Sequence, residues 1–464
     1  MAIEFAHSPL LTFVLALVAV ILLLVVLDLP AFVGLIIAAF FVGILNVAFL
    51  PDFAPPQAAE EVAAAFGEGM AGIGIPILMA AIIGKSMLES GAAQRIVRAF
   101  QNLLGEENSD IALWGSSSVL AIPVFFDSVF YLMAPLARSM RARVGRDYTL
   151  FIVVVGAGAA TTHVFVPPTP GPLAVATELG VNLGMTILVG IATAIPAALA
   201  AGLLYGRWIN KRLDIPLRDA MATSTDELEE LAQRSTGQLP SVLESAAPIV
   251  LAVVLVGSLT ALDTFEQVYP SLGVVRPYIS FLGDKNVALT IAALAAAWTF
   301  YRYSAEDREE WTDELTEALK SGGNIAAITA AGGAFGALLA ASGIGDYITG
   351  ALSQVGIPLI VSAWLIAAIV RVAQGSATAA MLTTAGIMAP QVPELAVHPA
   401  FLAMAIGAGG NIFSWYNDSG FWLVKEIGGL TQAETLKTWT VLTTIISVTG
   451  LIVTLVYTTV LPMA

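Results

Sequence analysis

No cysteine occurs among the 464 residues of the chain, so disulfide bonds, thiol nucleophiles and cysteine-based metal sites are all excluded. Histidine is almost as scarce, and three histidines argue against a haem or zinc site. Only 12% of the residues are charged, and the net charge of −15 argues against a nucleic-acid partner. The sequence therefore predicts no metal ion and no organic cofactor.

Apolar residues, by contrast, make up 57% of the chain and leave little material for a water-soluble domain. The stretches 11–28 and 442–461 each supply the roughly 20 apolar residues that are needed to cross about 30 Å of lipid. The first stretch lacks a basic n-region and a cleavage site, so we expect it to stay in the mature protein. The sequence predicts an all-α, multi-pass protein of the inner (plasma) membrane, in contact with the lipid bilayer.

Lysine and arginine orient the predicted spans, because these residues collect in cytoplasmic loops. Residues 1–84 contain neither, so we place the N-terminus and the 51–70 connection outside. Basic residues flank both ends of the hydrophobic segment at about 112–137, which must therefore enter and leave on the same side as a re-entrant hairpin. GSSS (115–118) and Pro123 offer places for this hairpin to turn. The polar stretch 207–240, rich in charges of both signs, is predicted to be a cytoplasmic linker between two halves of the chain.

Two blocks of sequence recur after the linker at a common offset of about 251 residues, which favours an internal duplication over chance. GKSMLESGAAQRIVRAF (84–100) aligns with GALLAASGIGDYITGAL (336–352), and VGAG (155–158) aligns with IGAG (406–409).

The second copy of the hairpin, at about 357–390, has no lysine or arginine around it except Arg371 inside it, so we expect it to open from outside. The halves 1–206 and 241–464 would then be inverted repeats, the arrangement that many secondary transporters use around a midplane site. The predicted architecture has about ten transmembrane helices, two re-entrant hairpins and both termini outside.

Each half also contains an apolar span that residues unsuited to a helix interrupt. HVFVPPTPGP (163–172) breaks the span at about 148–180, and SWYNDSGFW (414–422) breaks the span at about 397–430. Irregular backbone is tolerated at membrane depth only where it is buried in protein or lines a watery cavity, so we expect both breaks to face a shared cavity. Helix N-termini exposed there carry positive partial charge and unpaired amides, which suit an anion.

Polar side chains in the hairpins and breaks form the candidate site. Asp127 lies at membrane depth, where a carboxylate costs about 2.5 to 3.5 kcal/mol, so it is a candidate for proton coupling, with a structural cap or buried pair as the alternative. His163 is a candidate for proton coupling and substrate binding, or else fixes the break through a hydrogen bond. Arg371 would neutralise a substrate carboxylate or pair with a nearby acid. The remaining predicted substrate-binding residues are Thr169, Gly375, Ser376, Thr378, Asn411, Asn417, Asp418 and Ser419.

Two interpretations from other classes stay open at this point. Gly343-Ile344-Gly345-Asp346 matches the GxGD string of intramembrane aspartyl proteases, with Asp127 as a second carboxylate, but four residues make a weak motif. A passive channel is the other alternative, although opposed re-entrant hairpins suit alternating access better.

Four ordered motifs together resemble the gluconate permease (GntP) family of proton symporters, within the ion transporter superfamily. The motifs are IPVFFD (122–127), HVFVPPTPGPLA (163–174), GSATAAMLTTAGI (375–387) and NDSGFWLVKE (417–426). The resemblance covers most of the chain outside the linker. It implies uptake of gluconate or a related sugar-acid anion with protons, through an elevator-like movement of a hairpin-bearing domain against the scaffold of a homodimer.

The family's functional positions carry over most directly to residues inside these motifs, namely Asp127, His163, Ser376, Thr378, Asn417 and Asp418. Trp415 and Tyr416 stand where relatives often have His-Val, so this chain departs from the pattern near the second break. Other sugar acids or hydroxy acids, and sodium instead of protons as the coupling ion, are alternatives that the sequence leaves open.

Overall fold

The computed structural model describes residues 9–27, 29–50, 53–218, 238–266, 269–354, 356–416 and 418–461. All regular secondary structure in these residues is helical, which confirms the predicted all-α class. Most of the predicted linker, at 219–237, lies outside the described residues, and so does the predicted site residue Asn417.

The described α-helices before the linker are α1 (Pro9–Ile21), α2 (Ala31–Phe49), α3 (Pro55–Glu89), α4 (Ala92–Leu104), α5 (Ser109–Leu120), α6 (Phe126–Val144), α7 (Tyr148–Phe165), α8 (Pro170–Glu178), α9 (Leu183–Ala198) and α10 (Tyr205–Asn210). Those after it are α11 (Val242–Glu266), α12 (Arg276–Gly283), α13 (Lys285–Tyr303), α14 (Arg308–Ala341), α15 (Ile344–Gln354), α16 (Leu359–Gln374), α17 (Ala377–Met388), α18 (Pro399–Gly410), α19 (Ser419–Gly428), α20 (Gln432–Thr435) and α21 (Val441–Val460).

Seven helical segments of the described residues are long and apolar enough to cross a membrane, and the bent pair Ser271–Gly283 and Lys285–Tyr303 raises the number to eight. The chain is thus a multi-pass membrane protein, as predicted. The sequence predicts about ten crossings, two more than this. The difference arises because the first apolar helix, Pro9–Leu24, is short and because the predicted span 397–430 is divided into α18 and α19.

Two helix-turn-helix units occupy the segments where the sequence predicts hairpins. The first consists of α5 and α6, with its turn at 121–125 around Pro123. The second consists of α16 and α17: Gly375, at φ 83°, ends α16, and Ser376 Oγ accepts a hydrogen bond from Ala379 N at 3.2 Å to cap α17. The sides of the membrane from which these units open stay a prediction.

The first turn lies later in the sequence than the GSSS stretch that offered one place to turn. GSSS is inside α5, where the Ser116 hydroxyl donates to Ala112 O at 2.7 Å and the Ser118 hydroxyl donates to Trp114 O at 2.8 Å. Such hydrogen bonds to the preceding helical turn let serine lie inside an apolar helix.

Both predicted breaks are present. The first, at 166–169, separates α7 from α8, and Pro170 begins α8 because the first residue of a helix needs no amide hydrogen. The second, at 411–418, separates α18 from α19, and Asp418 caps α19 by accepting from Gly420 N at 3.0 Å.

Corresponding positions of the two halves share local packing. A Cβ atom at Gly158 in α7 would lie 2.6 Å from the carbonyl oxygen of Trp114 in α5, and one at Gly409 in α18 would contact the carbonyl oxygen of Trp364 in α16. In each half, therefore, a glycine of the broken helix lets it approach the first helix of the hairpin. The members of each pair are 251 and 250 residues apart, in agreement with the offset of the sequence repeat.

The two longest helices, α3 and α14, pack along each other and form one group of helices with α2 and α13. The hairpins, the broken helices, α9 and α21 form a second group. The groups meet most extensively between α14 and α17, where a Cβ atom at Gly336 would lie 3.0 Å from Thr383 Cα. The backbones of the two helices are therefore in close contact at this boundary.

Candidate functional site at the helix breaks

Both hairpin turns, the second break and the residues that flank the first break, His163 and Pro170, border one cavity of about 480 Å³. The helices α6, α8, α17 and α19 begin at this cavity with Phe126, Pro170, Ala377 and Ser419. The first turn of a helix carries a partial positive charge of about half an elementary charge, and those of its amide groups that no side chain caps are available to a ligand. Four such ends around one space make the cavity attractive to an anion.

Nine of the eleven residues predicted for the site line this cavity. They are Asp127, His163, Arg371, Gly375, Ser376, Thr378, Asn411, Asp418 and Ser419. Thr169 does not line it, since its side chain is buried and its hydroxyl donates to Val166 O at 2.7 Å. Asn417 lies outside the described residues. The structure therefore brings most of the predicted residues together, while their roles stay predictions.

Arg371 and Asp418 form a buried ion pair in the wall of the cavity, with 2.5 Å between Arg371 Nη2 and Asp418 Oδ2. Arg371 is only 3% exposed, yet its Nε and Nη1 atoms have no hydrogen-bond partner among the described residues. Asp418 thus neutralises the charge of the guanidinium, which still has two N–H groups from which a second carboxylate can accept hydrogen bonds. Sequence reasoning left open a substrate-binding or a structural role, and this geometry is compatible with both at once.

A chain of hydrogen bonds fixes the Asp418 carboxylate. The Ser414 hydroxyl donates to Asp418 Oδ2 and accepts from Trp439 Nε1 at 2.5 Å. Ser414 is itself held through its backbone, because Thr440 Oγ1 donates to Ser414 O at 2.5 Å. Trp439 and Thr440 lie in a π-helical segment, Leu436–Thr440, and such segments are frequent at functional sites.

Asp127 is the second carboxylate of the cavity and lies in the first turn of α6. In contrast to Asp418, its side chain is exposed, and no described residue donates a hydrogen bond to it. The charges of Arg371 and Asp418 cancel. When Asp127 is ionised and His163 is neutral, the residues that line the cavity therefore carry a formal charge of −1 in total.

Several lining residues are absent from the sequence-based set. Gln374 is the most polar of them, and the signal for it was an amide inside the apolar RVAQGSATAAMLTTAG stretch, directly before Gly375. Trp439 and Ile325 come from helices that carry no break, so only the tertiary structure shows that they reach the site.

Comparison with known proteins decides the family, since a sequence model described as "GntP family permease" matches residues 8–460. The chain belongs to the GntP permease family. This permease is 34% identical to a gluconate permease of Pseudomonas aeruginosa over 93% of both chains. It is 32% identical to the high-affinity gluconate transporter of Escherichia coli K12 (96% of this chain, 98% of the relative) and 33% identical to that organism's Gnt-II system L-idonate transporter (89% and 92%).

Solved structures show the same fold at low sequence identity. The YdaH transporter of Alcanivorax borkumensis superposes with a TM-score of 0.63 at 13% identity, covering 93% of this chain and 99% of its own. Neisseria gonorrhoeae MtrF, described as one of a class of antimetabolite efflux pumps, superposes with a TM-score of 0.64 at 14% identity, covering 95% and 97%.

The named relatives are permeases and transporters, which confirms the prediction that this membrane protein is not an enzyme. The structure also accounts for the GxGD string. Asp346 Oδ1 accepts a hydrogen bond from Gln391 Nε2 at 2.7 Å, and Asp346 does not line the cavity that contains Asp127. The two carboxylates of the protease interpretation therefore do not share a site.

Proposed function

We propose that this GntP-family permease imports gluconate or a related sugar-acid anion together with a proton. Relatives that cover most of the chain are named as gluconate and L-idonate transporters, which supports the substrate class. The observation that carries the proposal is the convergence of four helix N-termini and the unpaired donors of Arg371 on one cavity. The substrate carboxylate binds there, between the hairpin turns and the two breaks.

The charges of the cavity favour coupling to a proton. A monovalent anion that enters next to an ionised Asp127 would change the formal charge of the cavity from −1 to −2, which is costly because two like charges repel each other at short range. With a proton on Asp127, the loaded site returns to −1, the same charge as the ligand-free, ionised site. One proton therefore accompanies each anion, and the carrier moves no net charge. His163 lines the same cavity and is a second candidate to hold or pass the proton.

The mechanism that we propose is alternating access between inverted repeats. In it, the group that contains the hairpins and broken helices moves in an elevator-like way against the group formed by α2, α3, α13 and α14, which also forms the homodimer. The boundary between the two groups lies where α14 contacts α17, and Gly336 lets the two backbones approach closely there.

Uptake into proteoliposomes tests the proposal. Labelled gluconate, L-idonate, glycerate and other sugar acids are offered with a proton gradient, a sodium gradient and a membrane potential imposed separately. We expect uphill accumulation of at least one sugar acid with the proton gradient alone. Accumulation that requires sodium would assign sodium as the coupling ion, and flux that never exceeds equilibration would indicate a channel.

A further inference from the structure

We propose that Gln374 recognises hydroxyl groups of the substrate, so that the cavity selects a hydroxylated carboxylate over a plain one. This inference rests on the proposed function, because it concerns the same cavity and assigns it a specificity-determining residue.

The amide of Gln374 is buried without a partner. The residue is 4% exposed and lines the cavity, and neither its Nε2 nor its Oε1 atom has a hydrogen-bond partner among the described residues. Buried polar groups are rarely left unpaired in proteins, since they lose their hydrogen bonds to water on burial. The wall of the cavity thus contains one donor and one acceptor without partners, and a ligand hydroxyl, which can accept and donate in turn, would match them.

The position of Gln374 relative to Arg371 fits a carboxylate with a hydroxylated chain. The two residues are three positions apart on α16, so they share one face of the helix with a rise of about 4.5 Å between them. This is the reach of about three or four bonds of about 1.5 Å. A sugar acid whose carboxylate binds the free donors of Arg371 therefore brings hydroxyl-bearing carbons of its chain near the Gln374 amide.

The end of α16 is fixed, and with it the backbone position from which the Gln374 side chain extends. Gly375, at φ 83°, donates from its backbone N to Arg371 O at 2.9 Å and closes the helix directly after Gln374. Two other lining residues add unpartnered polar atoms, namely Nδ2 of Asn411 and Nδ1 of His163. The cavity therefore offers more hydrogen-bonding capacity than one carboxylate uses, and a polyhydroxy chain would satisfy it.

The test compares two six-carbon carboxylates, gluconate and hexanoate, as competitors of labelled gluconate uptake by proteoliposomes. Gln374→Met keeps the length of the side chain and removes the amide. We expect the ratio of the hexanoate to the gluconate inhibition constant to fall at least about tenfold, or about 1.4 kcal/mol, through weaker gluconate binding. Gln374→Asn, which keeps an amide, should retain part of the ratio, and Gln374→Ala replaces the Met variant if that variant does not fold.

The matched control is Gln101→Met, the same substitution at a glutamine of α4 that does not line the cavity, and it should leave the ratio unchanged. An unchanged ratio in Gln374→Met, or an equal loss of affinity for both competitors, would overturn the inference while leaving the proposed function intact. Failure of the wild-type protein to take up any sugar acid would overturn the proposed function and this inference with it.

Discussion

Replacing Asp127 by asparagine should separate substrate movement from proton coupling. Asparagine keeps the size of the side chain and its place in the first turn of α6, but it cannot bind and release a proton. Gluconate should still exchange across the membrane in part, because Arg371 and the four helix N-termini that would bind the carboxylate are unchanged. Accumulation against a gradient should be lost.

The size of the effect follows from the charges of the cavity. With one proton per anion, a pH gradient of one unit supplies about 1.4 kcal/mol and supports about tenfold accumulation, and two units support about 100-fold accumulation. Because a proton and a monovalent anion together carry no net charge, a membrane potential alone should give no accumulation in the wild-type protein. In Asp127→Asn the accumulation ratio should stay near one at every pH gradient.

The assay is uptake of labelled gluconate into proteoliposomes under an imposed pH gradient, together with counterflow exchange at equal pH. Asp346→Asn is the matched control, since it makes the same change at a carboxylate that pairs with Gln391 away from the cavity, and it should accumulate gluconate as the wild type does. Accumulation by Asp127→Asn that follows the pH gradient would refute the role of Asp127. Accumulation by the wild type under a potential alone would refute the charge balance.

Three further substitutions test the site and the packing. Arg371→Met leaves the Asp418 carboxylate buried without its cation and should lower the free energy of unfolding by about 3 to 5 kcal/mol, measured as a lower melting temperature in detergent. Adding Asp418→Leu should restore most of the stability but no uptake. An unchanged melting temperature in the single variant would contradict this prediction. Trp439→Phe removes one donor of the hydrogen-bond chain that holds Asp418. The free energy of gluconate binding should weaken by about 0.5 to 1.5 kcal/mol, measured as about two- to tenfold lower affinity. Unaltered affinity would show that the hydrogen-bond chain is dispensable for binding. Gly409→Ala places a methyl group within 2.7 Å of the first helix of the second hairpin and should destabilise the protein by about 1 to 3 kcal/mol. The control Gly333→Ala, where an added methyl group has nothing within 4 Å, should be neutral or stabilising. Equal melting temperatures of the two variants would refute the close packing at Gly409.

The positions of the hairpins and breaks could be predicted from the sequence, because the patterns that indicate them are local. Proline clusters, a lone aspartate and glycine-serine pairs are conspicuous within long apolar runs, and each has few explanations at membrane depth. The structure places the second hairpin at 359–388 where about 357–390 was predicted, and the first broken helix at 148–178 where about 148–180 was predicted. Of the two places where the first hairpin was expected to turn, Pro123 lies in the turn and GSSS does not, because serine hydroxyls can be satisfied inside a helix.

The side-chain pairs that form within the site could not be predicted in the same way. Arg371 and Asp418 are 47 residues apart, and no sequence pattern indicates that they pair with each other rather than with other charged residues. Trp439 reaches Ser414 from a helix that has no break and no polar motif of its own. Such pairs depend on how helices pack, and periodicity and composition carry no information about that packing. The same limit explains why Gln374, which directly precedes the motif at 375–387, was not predicted to line the site.

The predicted duplication, with its offset of about 251 residues, relates residues of the two halves that differ in chemistry. At that offset Asp127 corresponds to Thr378, which also follows a hairpin turn and lines the cavity, and His163 corresponds to Ser414. The first half thus supplies the two candidates for holding the proton, and the second half supplies the ion pair and its hydrogen-bond chain. If a proton and an anion are bound together, they are held mainly by different halves. Coupling then requires that both halves close around the same cavity, because the proton on one half and the anion on the other interact only through the electrostatic attraction between them.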